Sequence, residues 1–476
     1  MPGLAARIDL GMNLYFLGIA GAGMSALATM LASEGHRVCG SDEGVFPPIS
    51  TYLDRQAIDY HVGFDAALVP AGIDVAITGA SAKLHLDSNP ELAELIRRGV
   101  DLQSFPAFLG RHTQGRETIV VAGSFGKSTL TAMCASFLRE AGRDPGYFVG
   151  AIALDLPDTG HWGADPQMLL EGDEYIIGGG DLRSKFVLYH PSHLLISSLV
   201  HDHVNVFPTQ ADYEAPFREL LTLLPPKGLL VCANGDEGLH RLTRGREVVW
   251  YGRESCPGYF AEDVRIGEIT RFDLRTPAGD RIPLQTPLLG LHNVENIVGA
   301  AALLMELGLI DADALVRAAP KFRGVARRLD KKTTVSRAPA YEGFGSSYEK
   351  ARSAIEAMRL HFPDRPLVVL FEPHTFSWRN REGLGWYDSV FDGVSRVLLL
   401  PPPEHGAASH HQLSQAEIAA RIRGGGVDVT AASGGQAVLD DLAGSLTGNE
   451  AILLLSSGPL DGLADSLPPM LDRRFA

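Results

Sequence analysis

The most explicit chemistry in the chain lies at Gly123, Ser124, Phe125, Gly126, Lys127, Ser128 and Thr129. Two glycines permit a tight turn whose backbone N–H groups converge, and a helix N-terminus behind such a turn favours a polyphosphate. A lysine supplies a compact positive charge between phosphates, and a serine hydroxyl is the kind of oxygen ligand that Mg²⁺ takes. The spacing G-x-x-G-K-S is shorter than the general phosphate-loop pattern, which has four residues between its glycines.

Other residues have chemistry suited to the same place. Glu171 opens an acidic run that continues through Asp173 to Glu174, and His203 closes the triplet His201-Asp202-His203. Carboxylates and a histidine beside a phosphate loop are where Mg²⁺ ligands belong. The plain alternatives are a solvated acidic loop and an exposed loop histidine. Asn293 stands at the start of an alanine-rich helix, as a base-reading residue or as a cap.

Elements must bring these residues together. The β-branched, apolar run 118–122 reads as a buried strand, and the pattern from 130 to 140 as a helix. A strand over 169–175 leads into the acidic run, and one over 192–198 leads into the histidine triplet. In one α/β sheet their ends gather at the carboxyl edge, beside the phosphate loop. Farther upstream, a strand at 13–17 runs into a turn carrying Gly18, Ala20, Gly21, Gly23 and Met24. A helix to about 35 follows, then a strand ending in Ser41 and Asp42. That is the first half of a dinucleotide fold, although the glycine order G-x-x-G-x-G differs from the nicotinamide fingerprint. The expected use is a helix N-terminus facing a diphosphate, and the alternative is a tight turn with no ligand. Strands at 75–78 and 102–105 and a helix at 90–98 complete this small domain, which ends in a polar linker at 111–116. Strands at 367–371, 397–400 and 451–455, alternating with helices at 347–360 and 436–446, describe a further α/β segment. The histidines of loop 401–411, His405, His410 and His411, lack metal-ligand spacing and read as solvated.

Composition sets the class. The chain has 476 residues, 45% hydrophobic and 21% charged, enough for two to four globular domains. A formal net charge of -15 argues against nucleic-acid partners and anionic membranes. The four cysteines have no C-x-x-C spacing, and read as reduced thiols of a cytoplasmic protein. The apolar stretch 14–30 is broken by glycines, and no run is long enough to insert across a bilayer.

With these motifs in view, the chain resembles the Mur ligase family over nearly its whole length, and within it the murein peptide ligases. The short phosphate loop carries the resemblance, together with Gly40-Ser41-Asp42 followed by Phe46-Pro47-Pro48-Ile49-Ser50-Thr51, the stretch Asp181-Leu182-Arg183-Ser184-Lys185-Phe186-Val187, and Phe371-Glu372-Pro373. The resemblance implies three α/β domains: a Rossmann-like UDP-sugar domain over 1–113, a P-loop ATP-binding domain over 114–326, and an amine- or peptide-binding domain over 327–476. It implies ATP and Mg²⁺ as cofactors, and UDP-N-acetylmuramate plus a peptide or amino-acid amine as substrates. ATP phosphorylates the muramyl carboxylate, and an amine then attacks the acyl phosphate. The amine implied first is L-alanyl-γ-D-glutamyl-meso-diaminopimelate, in peptidoglycan recycling. The alternatives are a UDP-N-acetylmuramate–L-alanine-type ligase, and a catalytically weakened relative that binds UDP-sugar or nucleotide as a regulator or scaffold.

Residue by residue, the resemblance makes Lys127, Glu171 and His203 catalytic and Ser128, Glu171 and His203 the metal ligands. Gly123, Ser124, Gly126, Lys127, Ser128, Thr129, Asn293, Asn296 and Arg328 would bind ATP. Gly18, Ala20, Gly21, Gly23, Met24, Ser41 and Asp42 would bind the UDP-sugar. Departures from the family pattern accompany these matches. Phe125 replaces a polar loop residue, Gly172 an alanine, and 176–180 a stretch beginning with Asp. The run Glu342-Gly343-Phe344-Gly345-Ser346-Ser347-Tyr348 stands where the family has Asp-Asp-Phe-Ala-His-His-Pro. If this loop has merely decayed, restoring Asp at 343 and His at 346 and 347 is expected to tighten ATP binding or raise turnover.

Overall fold

A computed structural model describes residues 11–46, 49–80, 84, 88–178, 180–203, 206–403 and 412–476. Pro47, Pro48, Gly179 and the loop histidines His405, His410 and His411 lie outside the described residues.

The N-terminal sheet holds β1 (Asn13–Leu17), β2 (Arg37–Asp42), β3 (Asp59–Val62), β4 (Val75–Thr78) and β5 (Asp101–Ser104), in the order β3-β2-β1-β4-β5. Its strands pair in parallel throughout. Leu14 to Leu17 are buried, as in a strand covered on both faces. The chain winds from β1 to one side and then crosses to β4 on the other. The glycine turn after β1 thus lies at the topological switch point, where open α/β sheets bind ligands.

A ten-stranded sheet follows, built from β6 (Glu117–Ala122), β7 (Gly146–Phe148), β8 (Gly160–His161), β9 (Gln167–Glu171), β12 (His193–Ile196), β13 (Leu230–Ala233), β14 (Val249–Gly252), β15 (Tyr259–Arg265), β16 (Thr270–Arg275) and β17 (Arg281–Thr286). Between them in the chain, β10 (Ile176–Gly178) and β11 (Asp181–Ser184) form a separate antiparallel hairpin. The order β12-β6-β9 matters most, because β6 pairs in parallel with both neighbours. The helix Lys127–Glu140 starts at the lysine itself, three residues earlier than the sequence pattern suggested. The β9 strand ends at Glu171, so the acidic residues after it lie in a loop.

The last sheet runs β18 (Arg328–Lys331), β19 (Ala340–Gly343), β23 (Ala451–Leu455), β20 (Leu367–Phe371), β21 (Arg396–Leu399), β22 (Asp428–Ala431), with only β18 antiparallel. Alternate residues feed opposite faces. Tyr341, Val369, Phe371, Leu453 and Leu455 join one apolar cluster, and Ala340, Val368, Leu370, Ile452 and Leu454 another. Contacts divide the chain into two compact bodies. One contains residues 1–262, 273–284 and 294–322, and the other 263–272, 285–293 and 323–476. No described helix is long and apolar enough to cross a membrane.

In the second body, buried His361 joins two loops. Its Nδ1 donates to Gly267 O at 2.7 Å, and its Nε2 accepts from Gly290 N at 2.8 Å. Burial lowers its pKa, and the acceptor role requires the neutral ring. A histidine with a lowered folded pKa contributes its stability in full above the unfolded value near 6.5, and that stability is lost as pH falls below it. The urea midpoint of the wild type should therefore drop between pH 7 and pH 5 more steeply than that of His361→Leu. Equal slopes would refute the assignment.

Candidate active site

The carboxyl ends of β9, β6 and β12 set three segments side by side: Glu171, loop 123–126, and residues 197–203. Gly123 has φ +129°, and a β-carbon there would collide with Ser197 Oγ, so the close approach demands glycine. Gly126, at φ +83°, is the left-handed residue from which the phosphate helix starts. The loop is fastened to the tail of β12. Ser124 N donates to Ser198 O at 3.1 Å, Phe125 N donates to Ser198 Oγ at 3.0 Å, and Ser197 Oγ donates to Phe125 O.

Lys127 turns back over its own loop. Its Nζ donates to Gly123 O at 2.7 Å and pairs with Glu174 Oε2 at 2.8 Å. Ser128 Oγ donates to Glu171 Oε1 at 2.7 Å, while Gly150 N donates to Glu171 Oε2 at 2.7 Å. The backbone of His203 is left-handed at φ +53°, a strained state for a non-glycine residue. Its Nε2 lies 3.5 Å from Glu174 Oε1, and its ring meets Tyr175 edge-on at 5.1 Å. The hydrogen bond to Glu174 raises the His203 pKa.

The expected metal trio therefore divides. Ser128 and Glu171 are in contact, whereas His203 turns to Glu174. Among the described residues, no three His, Cys, Asp or Glu side chains converge as a metal site. The Ser128–Glu171 pair still fits Mg²⁺, which takes oxygen ligands, keeps several waters, and commonly uses one or two carboxylates with substrate phosphates.

Several other expected binding residues have internal duties. Ser124 is buried. Its hydroxyl donates to Val200 O and accepts from Tyr213 OH, the latter at 2.9 Å, so its side chain is engaged within the protein. Thr129 is buried in the first turn of the phosphate helix. Asn296 lies against the loop, where a β-carbon at Gly126 would meet its Oδ1 at 3.1 Å. Asn293 donates from Nδ2 to Leu289 O at 2.8 Å, a local bond across the turn that opens its helix.

At the N-terminal turn, Gly18 (φ +86°) and Ile19 donate their N–H groups to Ser41 O at 2.8 and 3.0 Å. Asp42 Oδ2 accepts from Ala20 N at 2.9 Å. The helix Ala22–Ser33 begins after Gly21 with no side-chain cap, leaving a terminus suited to an anion. Gly23 gives room to Phe105, whose ring would lie 3.2 Å from a β-carbon, and Met24 is buried. The buried hydroxyl of Ser41 donates to Glu91. Glu91 also accepts from Tyr15 OH at 2.9 Å and Asp65 N at 2.9 Å, and meets His61 Nε2 at 2.7 Å.

In the second body, Arg328 is exposed, and its neighbour Arg327 is half-buried. Arg327 Nε lies 3.1 Å from Glu342 Oε1, and its other end donates to Ser456 O at 3.1 Å and Gly458 O at 2.7 Å. Lys332 also grips Glu342, at 3.1 Å. Glu342 is thus engaged by two cations. Ser347 caps the helix Tyr348–His361, accepting from Lys350 N at 3.4 Å, and Ser346 Oγ accepts from Lys350 Nζ at 3.2 Å.

Sequence reasoning missed Glu174, Tyr213, Glu91 and Arg327 as organising residues. For Glu174 the signal was its place in the acidic run. Tyr213, on the helix Gln210–Leu223, reaches the site only through tertiary packing.

The comparisons with known proteins agree with this architecture. Residues 13–117 match the model described as Mur ligase family, catalytic domain, and residues 121–304 match the Mur ligase middle domain. The UDP-N-acetylmuramate–L-alanine ligase of Roseiflexus sp. (strain RS-1) is 32% identical over 411 residues, covering 82% of this chain and 84% of the relative. Among solved structures, UDP-N-acetylmuramate-alanine ligase from Thermotoga maritima superposes with TM-score 0.76 at 21% identity, covering 95% of this chain and 97% of that one. The UDP-N-acetylmuramate:L-alanyl-gamma-D-glutamyl-meso-diaminopimelate ligase from Neisseria meningitides gives TM-score 0.60 at 26% identity, covering 67% of this chain and 100% of that one. A murein peptide ligase from Psychrobacter arcticus gives 0.65 at 20% identity, covering 98% and 100%.

Proposed function

Because the chain belongs to the Mur ligase family, whose members are ATP-dependent ligases forming C–N bonds, we propose that it joins L-alanine to UDP-N-acetylmuramate. The observation that supports ATP-driven ligation is the Ser128–Glu171 contact beside Lys127 at the carboxyl end of β6. The muramyl carboxylate attacks the γ-phosphate of ATP, releasing ADP. The amine nitrogen attacks the resulting acyl phosphate, inorganic phosphate leaves, and the nitrogen loses a proton as the amide forms. Lys127 and the phosphate-helix N-terminus offset the charge of the transferring group, and the rest is positioning. Mg²⁺ held by Ser128 and Glu171 would supply charge screening between carboxylate and phosphates. The turn 18–23 receives the UDP diphosphate, and residues 1–113, 114–326 and 327–476 divide the labour among sugar nucleotide, ATP and amine. The cytoplasmic setting read from the cysteines belongs to the same proposal.

L-alanine takes precedence over the tripeptide expected from the sequence marks because the relative matched over most of both chains is an L-alanine ligase. The tripeptide remains a second reading, favoured by the hairpin that carries Asp181 to Ser184 and by the likeness to the Neisseria ligase. ADP release with UDP-N-acetylmuramate should rise on adding L-alanine. A rise with the tripeptide alone would reverse the order, and no rise with any amine would reject ligase activity on this sugar nucleotide.

A further inference from the structure

We propose that Glu174 is a positioning residue that holds Lys127 over the phosphate loop and yields it to an incoming polyphosphate, an inference resting on the reading of 123–129 as the ATP site. Glu174 is completely buried, at 0% exposure. Its Oε2 lies 2.8 Å from Lys127 Nζ, and its Oε1 lies 3.1 Å from the same nitrogen, 3.3 Å from Tyr213 OH and 3.5 Å from His203 Nε2. The other acids of the run have separate partners. Glu171 is held by Ser128 and Gly150, and Asp173 by Lys185 at 2.6 Å. Of the three, Glu174 alone engages the cation that phosphate binding requires.

This geometry sets up a competition. A phosphate entering the loop must draw Lys127 from Glu174. The carboxylate then keeps Tyr213 and His203 as hydrogen-bond partners, which offsets part of the cost of leaving a buried charge. Tyr213 OH lies between Ser124 Oγ and Glu174 Oε1, at 2.9 and 3.3 Å, and shares its one proton between them, tying Glu174 to the loop that the phosphate enters. Removing the charge of Glu174 while preserving its shape should therefore have opposite effects on two quantities. Anion affinity should rise, because a negative charge beside the phosphate site is gone. Turnover should fall, because Lys127 and His203 lose the group that places them.

The test is calorimetric titration of the full-length protein with metal-free ADP and with inorganic pyrophosphate, alongside steady-state kinetics. Glu174→Gln should bind both about five- to tenfold more tightly than wild type while kcat drops at least about tenfold. Glu174→Asp, which keeps the charge, should bind no more tightly than wild type. Tyr213→Phe, which leaves the Lys127–Glu174 pair intact, should leave anion affinity within about twofold. If Glu174→Gln fails to fold, Glu174→Ala must show the same tightening. Equal or weaker binding by the folded uncharged variant overturns the proposal while leaving the ATP reading in place. Failure of the wild type to bind ADP, ATP or pyrophosphate overturns both.

Discussion

Lys127→Ala should lower turnover about a hundred- to a thousandfold, the range seen when a preorganised group facing transition-state charge is removed. The lysine follows the left-handed Gly126 at the start of the phosphate helix, so no neighbouring side chain can reproduce its position. Its removal also leaves Glu174 buried with only Tyr213 and His203, so some stability is lost as well. The double variant Lys127→Met/Glu174→Gln separates these effects. It should regain most of the lost thermal stability and none of the activity. Single-turnover ADP release and a thermal melt measure the two quantities. Turnover within a few-fold of wild type would remove Lys127 from the mechanism.

The second large effect reverses what the sequence motif implied. The triple variant Gly343→Asp/Ser346→His/Ser347→His restores the family's residue types, yet should lose stability and gain no affinity for ATP. A β-carbon at 343 would lie 3.4 Å from the δ1 methyls of Leu453 and Leu455 and 3.5 Å from the Ala354 methyl. An aspartate there carries its carboxyl into an apolar cluster, which costs several kcal/mol unless it is neutralised. Removing the Ser347 cap costs about 1 kcal/mol more. A loss of about 3–5 kcal/mol is expected, mostly from position 343. Urea denaturation of the single and triple variants checks it. A triple variant as stable as wild type and tighter for ATP would show that the loop had only decayed.

The two outcomes differ because of what can be read along a chain. The phosphate loop was legible because strand, glycines, lysine and helix are contiguous, and local geometry follows from local sequence. The convergence on Glu174 was not, since Lys127, Tyr213 and His203 reach it from separate elements. The direction of residue 343 did leave a trace. Tyr341 and Gly343 share a strand face by alternation, and Tyr341 is plainly apolar, so a gapless alignment that set Gly343 at the nucleotide ignored the pleat. Strands β15 to β17 escaped notice because charged residues alternate through them, as in a half-solvated sheet. The Ser41–Glu91 bond was illegible for a similar reason, as Glu91 lies 50 residues away on the helix Pro90–Arg97.

The fastening of the phosphate loop has a consequence for folding. The bonds that shape the site span long stretches of chain: 43 residues from Ser128 to Glu171, 47 from Lys127 to Glu174, and 73 from Phe125 to Ser198. Each closes only after its loop entropy has been overcome, and non-local pairing of this kind is slow. During synthesis, β6 and its loop emerge well before the segment that fastens them. A ribosome-bound chain ending near residue 190 carries the phosphate motif without Ser198 or His203. Competence to bind nucleotide therefore arises late, when β12 docks against β6.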